Sequence, residues 1–279
     1  MSHPAPGHVS ATTPARRERA EPERAEHERA EVERTELART AHADAWEQHG
    51  RLRAEAGGAV AELPGVRLMA SGLPYAQWNN GDVTDPGLVD VDAVRAWYAR
   101  LDVPWGLRVP AGAPWPHGRL LFRKRLMLLH AADLVRAPAV PGLVVRAATP
   151  DDLDVVARVD ATAFDGDAAV EAAWMRPLLV SERATVAVAE LDGRPVGTAS
   201  CLRTDGRAGP AAYLAGVAVL PEARRRGVAA AVSGWLLDRA VAAGARVAHL
   251  HPDSDLAARV YARLGFTEVD GLDVYVEVA

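Results

Sequence analysis

One stretch, residues 217–232, constrains this chain more than any other. Its sequence, VAVLPEARRRGVAAAV, combines a strand, a basic turn and the start of a helix. Pro221 cannot donate a hydrogen bond to a neighbouring strand, so it predicts the strand's end. Gly227 permits close approach of backbone to a ligand, and apolar residues from Val228 onward recur at helical spacing. The stretch therefore predicts a strand–turn–helix unit.

The turn of this unit predicts an anion site. The first N–H groups of a helix have no acceptor inside the helix, and they lie at the positive end of its dipole. Three consecutive arginines, residues 224–226, add positive charge beside them. A pyrophosphate suits such a site. The chain lacks the Gly-x-x-x-x-Gly-Lys-Ser/Thr motif, and the turn lacks Gly-x-Gly-x-x-Gly, so nucleotide-binding motifs of those two kinds fit poorly.

Arg224-x-x-Gly227-x-Ala229 resembles the acyl-CoA signature Arg/Gln-x-x-Gly-x-Gly/Ala of the GNAT acyltransferase superfamily. A second block, from Ser254 through Tyr261 to Phe266, resembles that family too, and it follows at the distance that one helix and one strand require. The resemblance covers residues 142–279. It implies an α+β (α/β three-layer) fold with a mixed, mostly antiparallel sheet flanked by helices. The alternative is an ordinary strand–turn–helix with solvated arginines.

The resemblance also implies a site for acetyl-CoA as acyl donor, with no metal. Tyr261 aligns with a tyrosine that protonates the coenzyme A sulfur in many relatives, although it could also be a core residue. Ser254 stands where the family often has asparagine, and Gly216 is expected to help distort the fourth strand of that domain. The implied cofactor-binding residues are Val217, Val219, Arg224, Arg225, Arg226, Gly227, Val228, Ala229, Ala230 and Ser254.

The general base is left open by the sequence. Tyr213 occupies the region where several relatives carry a glutamate. His249 and His251 share one face of a predicted strand, and a neutral histidine could accept the proton. Glu171 and Asp165, near the first helices of the domain, are further candidates. A substrate amine of low pKa would need no strong base.

Three segments are predicted. Residues 1–42 carry a repeating charged pentad without an apolar face and indicate a charged flexible tail, disordered or helical. Residues 43–141 hold five of the seven tryptophans and indicate a second, smaller α/β domain. The pattern from Gly72 to Asn80 resembles the degenerate N-terminal half of some tandem GNAT proteins. A proline-rich linker then leads to the acyltransferase domain, residues 142–279.

Local patterns predict several elements. Residues 91–101 suit a helix entered through Asp90 or Asp92, and residues 120–129 suit a strand or edge structure. Asp192-Gly193 predicts a tight hairpin turn. The chain is expected to end in two short strands, residues 266–269 and 274–278.

Composition bounds the partners and the compartment. A net charge of -5 argues against a general nucleic-acid binder, and no apolar run is long enough to span a membrane. Cys201 is the single cysteine, which excludes an internal disulfide framework and indicates a buried hydrophobe. The N-terminus shows no signal-peptide core. We therefore expect a cytoplasmic protein that is a monomer or homodimer.

Together these features predict an acyl-CoA-dependent N-acyltransferase. The expected reaction moves acetyl from acetyl-CoA to a primary amine of a small molecule, a peptide or a protein, with a hydroxyl acceptor also open. One alternative is a non-catalytic acyl-CoA-binding regulatory protein. Another assigns the tail and the tryptophan-rich half to recruitment of a partner.

Overall fold

The computed structural model describes residues 14–277. The first thirteen residues of the expected tail and Val278, the last residue of the final predicted strand, lie outside this range. The described residues form six α-helices: Pro14–Leu52 (α1), Val91–Ala99 (α2), Leu153–Phe164 (α3), Ala168–Leu179 (α4), Val228–Ala242 (α5) and Asp255–Ala262 (α6). They also form eleven strands: Ala59–Leu63 (β1), Val66–Ala70 (β2), Asn80–Val83 (β3), Gly106–Pro110 (β4), Arg119–His130 (β5), Leu143–Ala147 (β6), Ala184–Leu191 (β7), Arg194–Gly206 (β8), Gly209–Val219 (β9), Val247–Leu250 (β10) and Thr267–Val276 (β11).

All eleven strands belong to one sheet, in the order β1-β2-β3-β4-β11-β5-β10-β9-β8-β7-β6. Only the pairs β3–β4 and β9–β10 are parallel. Strand β5 comes from the N-terminal half, yet it lies between β10 and β11 and is antiparallel to both. Strand β11 in turn pairs with β4. The predicted mixed, mostly antiparallel sheet flanked by helices is confirmed, and the sheet is continuous through both halves.

Helix α1 crosses residue 42, where we expected a tail to end. Its residues 25–33 are largely exposed, with an Arg24–Glu28 ion pair of 2.9 Å along the surface. From Ala38 onward the helix is mostly buried, and the side chains of Ala41 and His42 have no exposed area. Small side chains allow this half of the helix to approach the sheet closely. The expected boundary therefore falls inside one helix, of which the first half is charged and the second half is core.

Most local predictions are confirmed. Asp90, and not Asp92, is the N-cap of α2, accepting hydrogen bonds from two N–H groups of its first turn. Asp192 and Gly193 both have positive φ in the β7–β8 hairpin, at 51° and 76°. Residues 120–129 belong to strand β5, which pairs with β11 over most of its length and with β10 only from Met127 to His130. The two expected final strands are one, β11, with a register shift between Val269 and Leu272 against β5.

The C-terminal core lies between helices α5 and α6 and the sheet. Val232, Leu236 and Leu237 of α5 are essentially fully buried there. Cys201 belongs to the same cluster, and burial raises the pKa of its thiol to about 12. The cysteine is therefore a small buried hydrophobe, as the sequence predicts.

Candidate functional site

Strands β9 and β10 separate in the middle of the sheet. They pair only from Ala211 to Tyr213, while β9 continues to Val219 without a β10 partner in the described chain. Gly216 has a φ of +58°, a left-handed conformation that favours glycine. At the same place the register between β9 and β8 shifts by one residue, which is a β-bulge. Gly216 thus distorts the strand as expected, and the backbone around Val217 borders the resulting gap.

The basic turn follows the end of β9. Gly227 has a φ of +85° and is the N-cap of α5, and the first hydrogen bond of the helix runs from the Ala231 N–H to the Gly227 carbonyl at 3.0 Å. The N–H groups of residues 228–230 consequently have no acceptor within the helix. Arg225 also has a positive φ, 61°. This geometry provides the cluster of free donors that the sequence predicts.

The three arginines of the turn differ in what they bind. Arg224 donates from Nε to the Val219 carbonyl at 3.1 Å and from Nη2 to the Ala163 carbonyl at 3.2 Å. It therefore fastens the turn to β9 and α3. Arg225 and Arg226 are exposed, and their side chains make no hydrogen bond to other described residues. These two are the arginines available to a phosphate.

Tyr261 and Ser254 belong to helix α6. Tyr261 is 8% exposed, and its ring meets Phe266 edge-on at a centroid distance of 6.1 Å. Burial raises the pKa of Tyr261, so its hydroxyl stays protonated at neutral pH. Ser254 is the N-cap of the helix, with its Oγ accepting from the Ala257 N–H at 3.3 Å. Ser254 therefore caps the helix that carries Tyr261.

A cavity of about 410 Å³ lies at the gap between β9 and β10. Tyr261, Gly216 and Val217 line it together. Val219, Ser254 and the turn residues 224–230 are outside its lining. The N-terminal half and β5 contribute Trp46, Gln77, Trp78, Asn80, Arg108, Phe122 and Lys124. The site is thus built by both halves of the chain.

Two carboxyl groups line the cavity beside Gly216. Asp160 of α3 is 4% exposed and Glu171 of α4 is 8% exposed. A Cβ placed on Gly216 would lie 3.3 Å from Asp160 Oδ2, so the glycine leaves room for this carboxyl. Burial, followed by the nearby Glu171 and a hydrogen bond with it, raises the pKa of Asp160. Burial raises the pKa of Glu171 as well, so this pair holds a proton more strongly than two free carboxyl groups would.

Of the acids considered from the sequence, Glu171 lines the cavity, whereas Asp165 is exposed in a left-handed conformation after α3. Sequence reasoning missed Asp160. The available signal was its position, because it follows Val156 by one helical turn and so lies on the apolar face of α3.

Two basic side chains of the sheet also reach the cavity, and sequence reasoning missed both. Arg108 of β4 is 1% exposed, donates to Asp82 at 2.7 Å and lies over the Trp46 ring at 4.1 Å. Lys124 of β5 is 8% exposed, with its Nζ 5.1 Å from the centre of that ring. Burial, followed by the charge of Arg108, lowers the pKa of Lys124 to about 7.

The two histidines proposed as bases are in different environments. His249 does not line the cavity, and its ring stacks on Tyr213 at 4.9 Å. Burial lowers the pKa of His249 to about 3. His251 does line the cavity, with Nδ1 2.9 Å from the Arg125 carbonyl. Burial, followed by the charge of Lys124, lowers the pKa of His251 to about 4, so both histidines are neutral.

Comparison with known families identifies the C-terminal half. Residues 155–266 match the model of the acetyltransferase (GNAT) family. This part of the chain is a GNAT domain. No curated protein matches the chain. Two of the family's expected features, the split strand and the helix-capping turn, lie within the matched residues and have the geometry described above.

Solved structures show that the GNAT-like fold extends beyond this domain. A GCN5-related N-acetyltransferase from Kribbella flavida has a TM-score of 0.65 at 18% identity, over 86% of this chain and 96% of its own. A conserved protein of unknown function from Staphylococcus epidermidis has a TM-score of 0.56 at 16% identity, over 80% and 95%. A tandem GNAT protein from the clavulanic acid biosynthesis pathway has a TM-score of 0.53 at 18% identity, over 76% and 78%. These alignments cover more than the GNAT domain alone, so the N-terminal half is also GNAT-like in fold.

The described residues offer neither a membrane-spanning helix nor a cluster of metal ligands. Within residues 14–277, no helix is both long and apolar enough to cross a bilayer. In the same part of the chain, no group of three or more histidine, cysteine, aspartate or glutamate side chains is arranged to hold a metal ion.

Proposed function

We propose that this chain is an acyl-CoA-dependent N-acyltransferase that transfers acetyl from acetyl-CoA to the primary amine of a small molecule. One observation carries the proposal: Tyr261 and the distorted backbone of Gly216 and Val217 line the same cavity. In this reading the free N–H groups of residues 225–230 bind the pyrophosphate, and Arg225 and Arg226 add charge. Val217 and Val219 hold the pantetheine arm and thioester, while Ser254 and Arg224 support the site from α6 and the end of β9.

Each step of the transfer has a candidate group in the cavity. The amine attacks the thioester carbonyl carbon, and the carbon–sulfur bond then breaks. Tyr261 donates its hydroxyl proton to the departing thiolate, which general acid catalysis accelerates by about 10²–10⁴-fold. The proton lost by the amine passes to the Asp160–Glu171 pair, in which we propose Glu171 as the acceptor. This assignment supplies the general base that the sequence leaves open.

The size of the cavity favours a small acceptor over a folded protein. Its volume of about 410 Å³ is near the lower end of ~300–1,000 Å³, the range of small-molecule pockets. The acetyl end of the donor must share this space. The buried acid pair beside Gly216 also favours a catalyst over a non-catalytic binding protein, because a regulator has no need of a proton acceptor there. We also propose a cytoplasmic monomer or homodimer with no nucleic-acid partner.

The proposal is tested by incubating the full chain with acetyl-CoA and a panel of primary amines while free thiol is measured. We expect amine-dependent thiol release for some members of the panel. Glu171→Gln should reduce that release without changing acetyl-CoA affinity, and the exposed Asp165→Asn is the matched control. Tight acetyl-CoA binding without thiol release from any amine would instead support the regulatory alternative.

A further inference from the structure

Lys124 is the cavity residue that acyl transfer does not explain. It lies in β5, near the middle of the eleven-stranded sheet, and lines the cavity with 8% of its area exposed. Removing an ammonium from water is costly unless a carboxylate or several acceptors compensate for the lost hydration. A lysine in this position therefore needs a partner.

The described part of the chain provides no such partner. The Lys124 ammonium makes no hydrogen bond or ion pair there, and its Nζ lies 5.1 Å from the centre of the Trp46 ring. Arg108 lies over the same ring but is paired with Asp82. Asp82 and Asp253 raise the pKa of Lys124 by their charges, and Asp253 lines the same cavity, but neither forms an ion pair with it. Two cations thus lie beside one tryptophan, and only Arg108 has a counter-ion.

The three histidines around Lys124 do not supply a negative charge. His42, His49 and His251 each have a pKa lowered by burial, so they are neutral at physiological pH. Burial and Arg108 likewise weaken the charged form of Lys124 in the empty cavity. A bound anion would restore that form.

We propose that Lys124 binds a carboxylate of the acyl acceptor, so that the acceptors are small amino carboxylates. This inference rests on the proposed function, because the acceptor enters the same cavity. The cavity offers separate partners for the two charged groups of such a molecule: the Asp160–Glu171 pair for the amine and Lys124 for the carboxylate. Trp46, Trp78 and Trp174 provide an apolar wall for the rest of the acceptor.

The competing role for Lys124 is that of a proton acceptor for the amine. The two roles differ in what they require of the substrate. An anion-binding lysine matters only for acceptors that carry a carboxylate, and its loss raises KM. A proton acceptor matters for every amine, and its loss lowers kcat.

Matched pairs of amines separate these roles. The pairs are phenylalanine and phenethylamine, tryptophan and tryptamine, 4-aminobutyrate and butylamine, and 4-aminobenzoate and aniline. Each pair differs in the carboxylate, and the series varies its distance from the amine. For at least one pair we expect kcat/KM to favour the carboxylate member by about 10- to 100-fold, mainly through KM, as for a charge-assisted hydrogen bond.

Variants of β5 identify the residue responsible. Lys124→Met keeps an unbranched side chain without charge and should abolish the preference, leaving kcat/KM for the neutral member within about twofold. Lys124→Arg should retain part of the preference. Arg125→Met is the matched control, because Arg125 neighbours Lys124 but pairs with Glu268 and does not line the cavity. Thermal melts establish that each variant folds, and Lys124→Gln replaces Lys124→Met if that variant does not fold.

Two results overturn the inference. One is a wild-type protein that prefers the carboxylate member of no pair. The other is an equal loss of kcat for both members of a pair in Lys124→Met, which assigns Lys124 to proton transfer. If no amine releases thiol, the proposed function fails. The role of Lys124 is then tested separately, by calorimetry that measures binding of the same compounds in the presence of coenzyme A. Tighter binding of a carboxylate member to wild type than to Lys124→Met supports the anchor, and equal binding refutes it.

Discussion

The indole rings of Trp78 and Trp174 lie 4.8 Å apart at an interplanar angle of 30°, and this contact joins the two halves of the chain at the cavity. Trp78 precedes β3 in the N-terminal half, while Trp174 belongs to α4 of the GNAT domain. Arg53, the residue after α1, lies over the Trp174 ring, with its Cζ 3.9 Å from the ring centroid. The N-terminal half therefore forms one wall of the cavity and is not a separate module on a linker.

The shared sheet leads to a prediction about the isolated GNAT domain. Residues 142–279 lack β5, so β10 and β11 lose the strand that separates them. We expect this fragment to be insoluble or to show no cooperative thermal unfolding, because it exposes unpaired strand edges. A longer fragment, residues 119–279, keeps β5 and is the matched comparison. Cooperative unfolding of fragment 142–279 together with full acyl transfer would contradict the shared architecture.

A second prediction concerns the turn. Gly227→Ala should weaken acetyl-CoA binding by about tenfold or more, since the left-handed conformation costs other residues ~1–2 kcal/mol and ~1.4 kcal/mol is tenfold in affinity. The new Cβ would also lie 3.0 Å from Val140 Cγ2, which displaces the free N–H groups. Gly193→Ala has the same backbone penalty in an open hairpin, with nothing within 4 Å of its Cβ. Calorimetry should show unchanged affinity for that control; equal affinities in both variants would remove the turn from the site.

A third prediction separates catalysis from packing at Tyr261. Tyr261→Phe keeps the ring against Phe266 but removes the proton, so kcat should fall by about 10²–10⁴-fold with little change in acetyl-CoA affinity. Tyr98→Phe is the control, because the Tyr98 hydroxyl donates to the Met69 carbonyl at 2.9 Å in the other half. It should cost about 1 kcal/mol of unfolding free energy and leave kcat unchanged. A Tyr261→Phe variant that loses stability but keeps its rate would make this tyrosine a core residue.

A fourth prediction follows from the raised pKa of Asp160 beside Glu171. The pKa of Asp160 is raised on folding, so the folded state binds its proton more tightly than the unfolded state does. The resulting stability is complete below the unfolded pKa of ~4 and is lost as pH rises through the folded value, at about 1.4 kcal/mol per pKa unit.

Urea titrations at about pH 5 and about pH 8 test this dependence. As the pH rises from the lower to the higher of these values, the unfolding free energy of wild type should fall by more than that of Asp160→Asn. The charge of Asp167 also raises the pKa of Glu171. Asp167 is therefore kept in both wild type and Asp160→Asn, so that its effect is the same in the two proteins. Asp165→Asn, in an exposed left-handed position that asparagine tolerates, should behave as wild type. Parallel curves for wild type and Asp160→Asn would show that no such proton is held.

The parts of the fold that depend on near neighbours could be predicted from the sequence. The Arg224–Ala230 turn, the Asp192–Gly193 hairpin and the Ser254 cap each follow from a few adjacent residues whose backbone preferences are strong. The distortion of β9 at Gly216 was expected from the family resemblance. These features form the side of the site that we propose for the cofactor.

The acceptor side could not be predicted, because it depends on contacts between distant segments. Lys124 belongs to a basic cluster in an apolar run, and only the pairing of β5 with β11, in which Lys124 lies opposite Leu272, places it in the sheet. Trp46 likewise reaches the cavity because α1 packs on the sheet, which its charged repeat does not indicate. Asp160 was overlooked since an acid on an apolar helix face has meaning only when Glu171 and Gly216 are known to lie beside it.

The central claim, acetyl transfer within this cavity, is tested most directly by mass analysis of the amine product. The full chain is incubated with acetyl-CoA and the amine that releases most thiol, in parallel with Tyr261→Phe and Tyr98→Phe. The account predicts an amine heavier by one acetyl group, formed in equal amount to the thiol by wild type and Tyr98→Phe and far more slowly by Tyr261→Phe. Thiol release without an acetylated amine, or equal product from Tyr261→Phe, would contradict it.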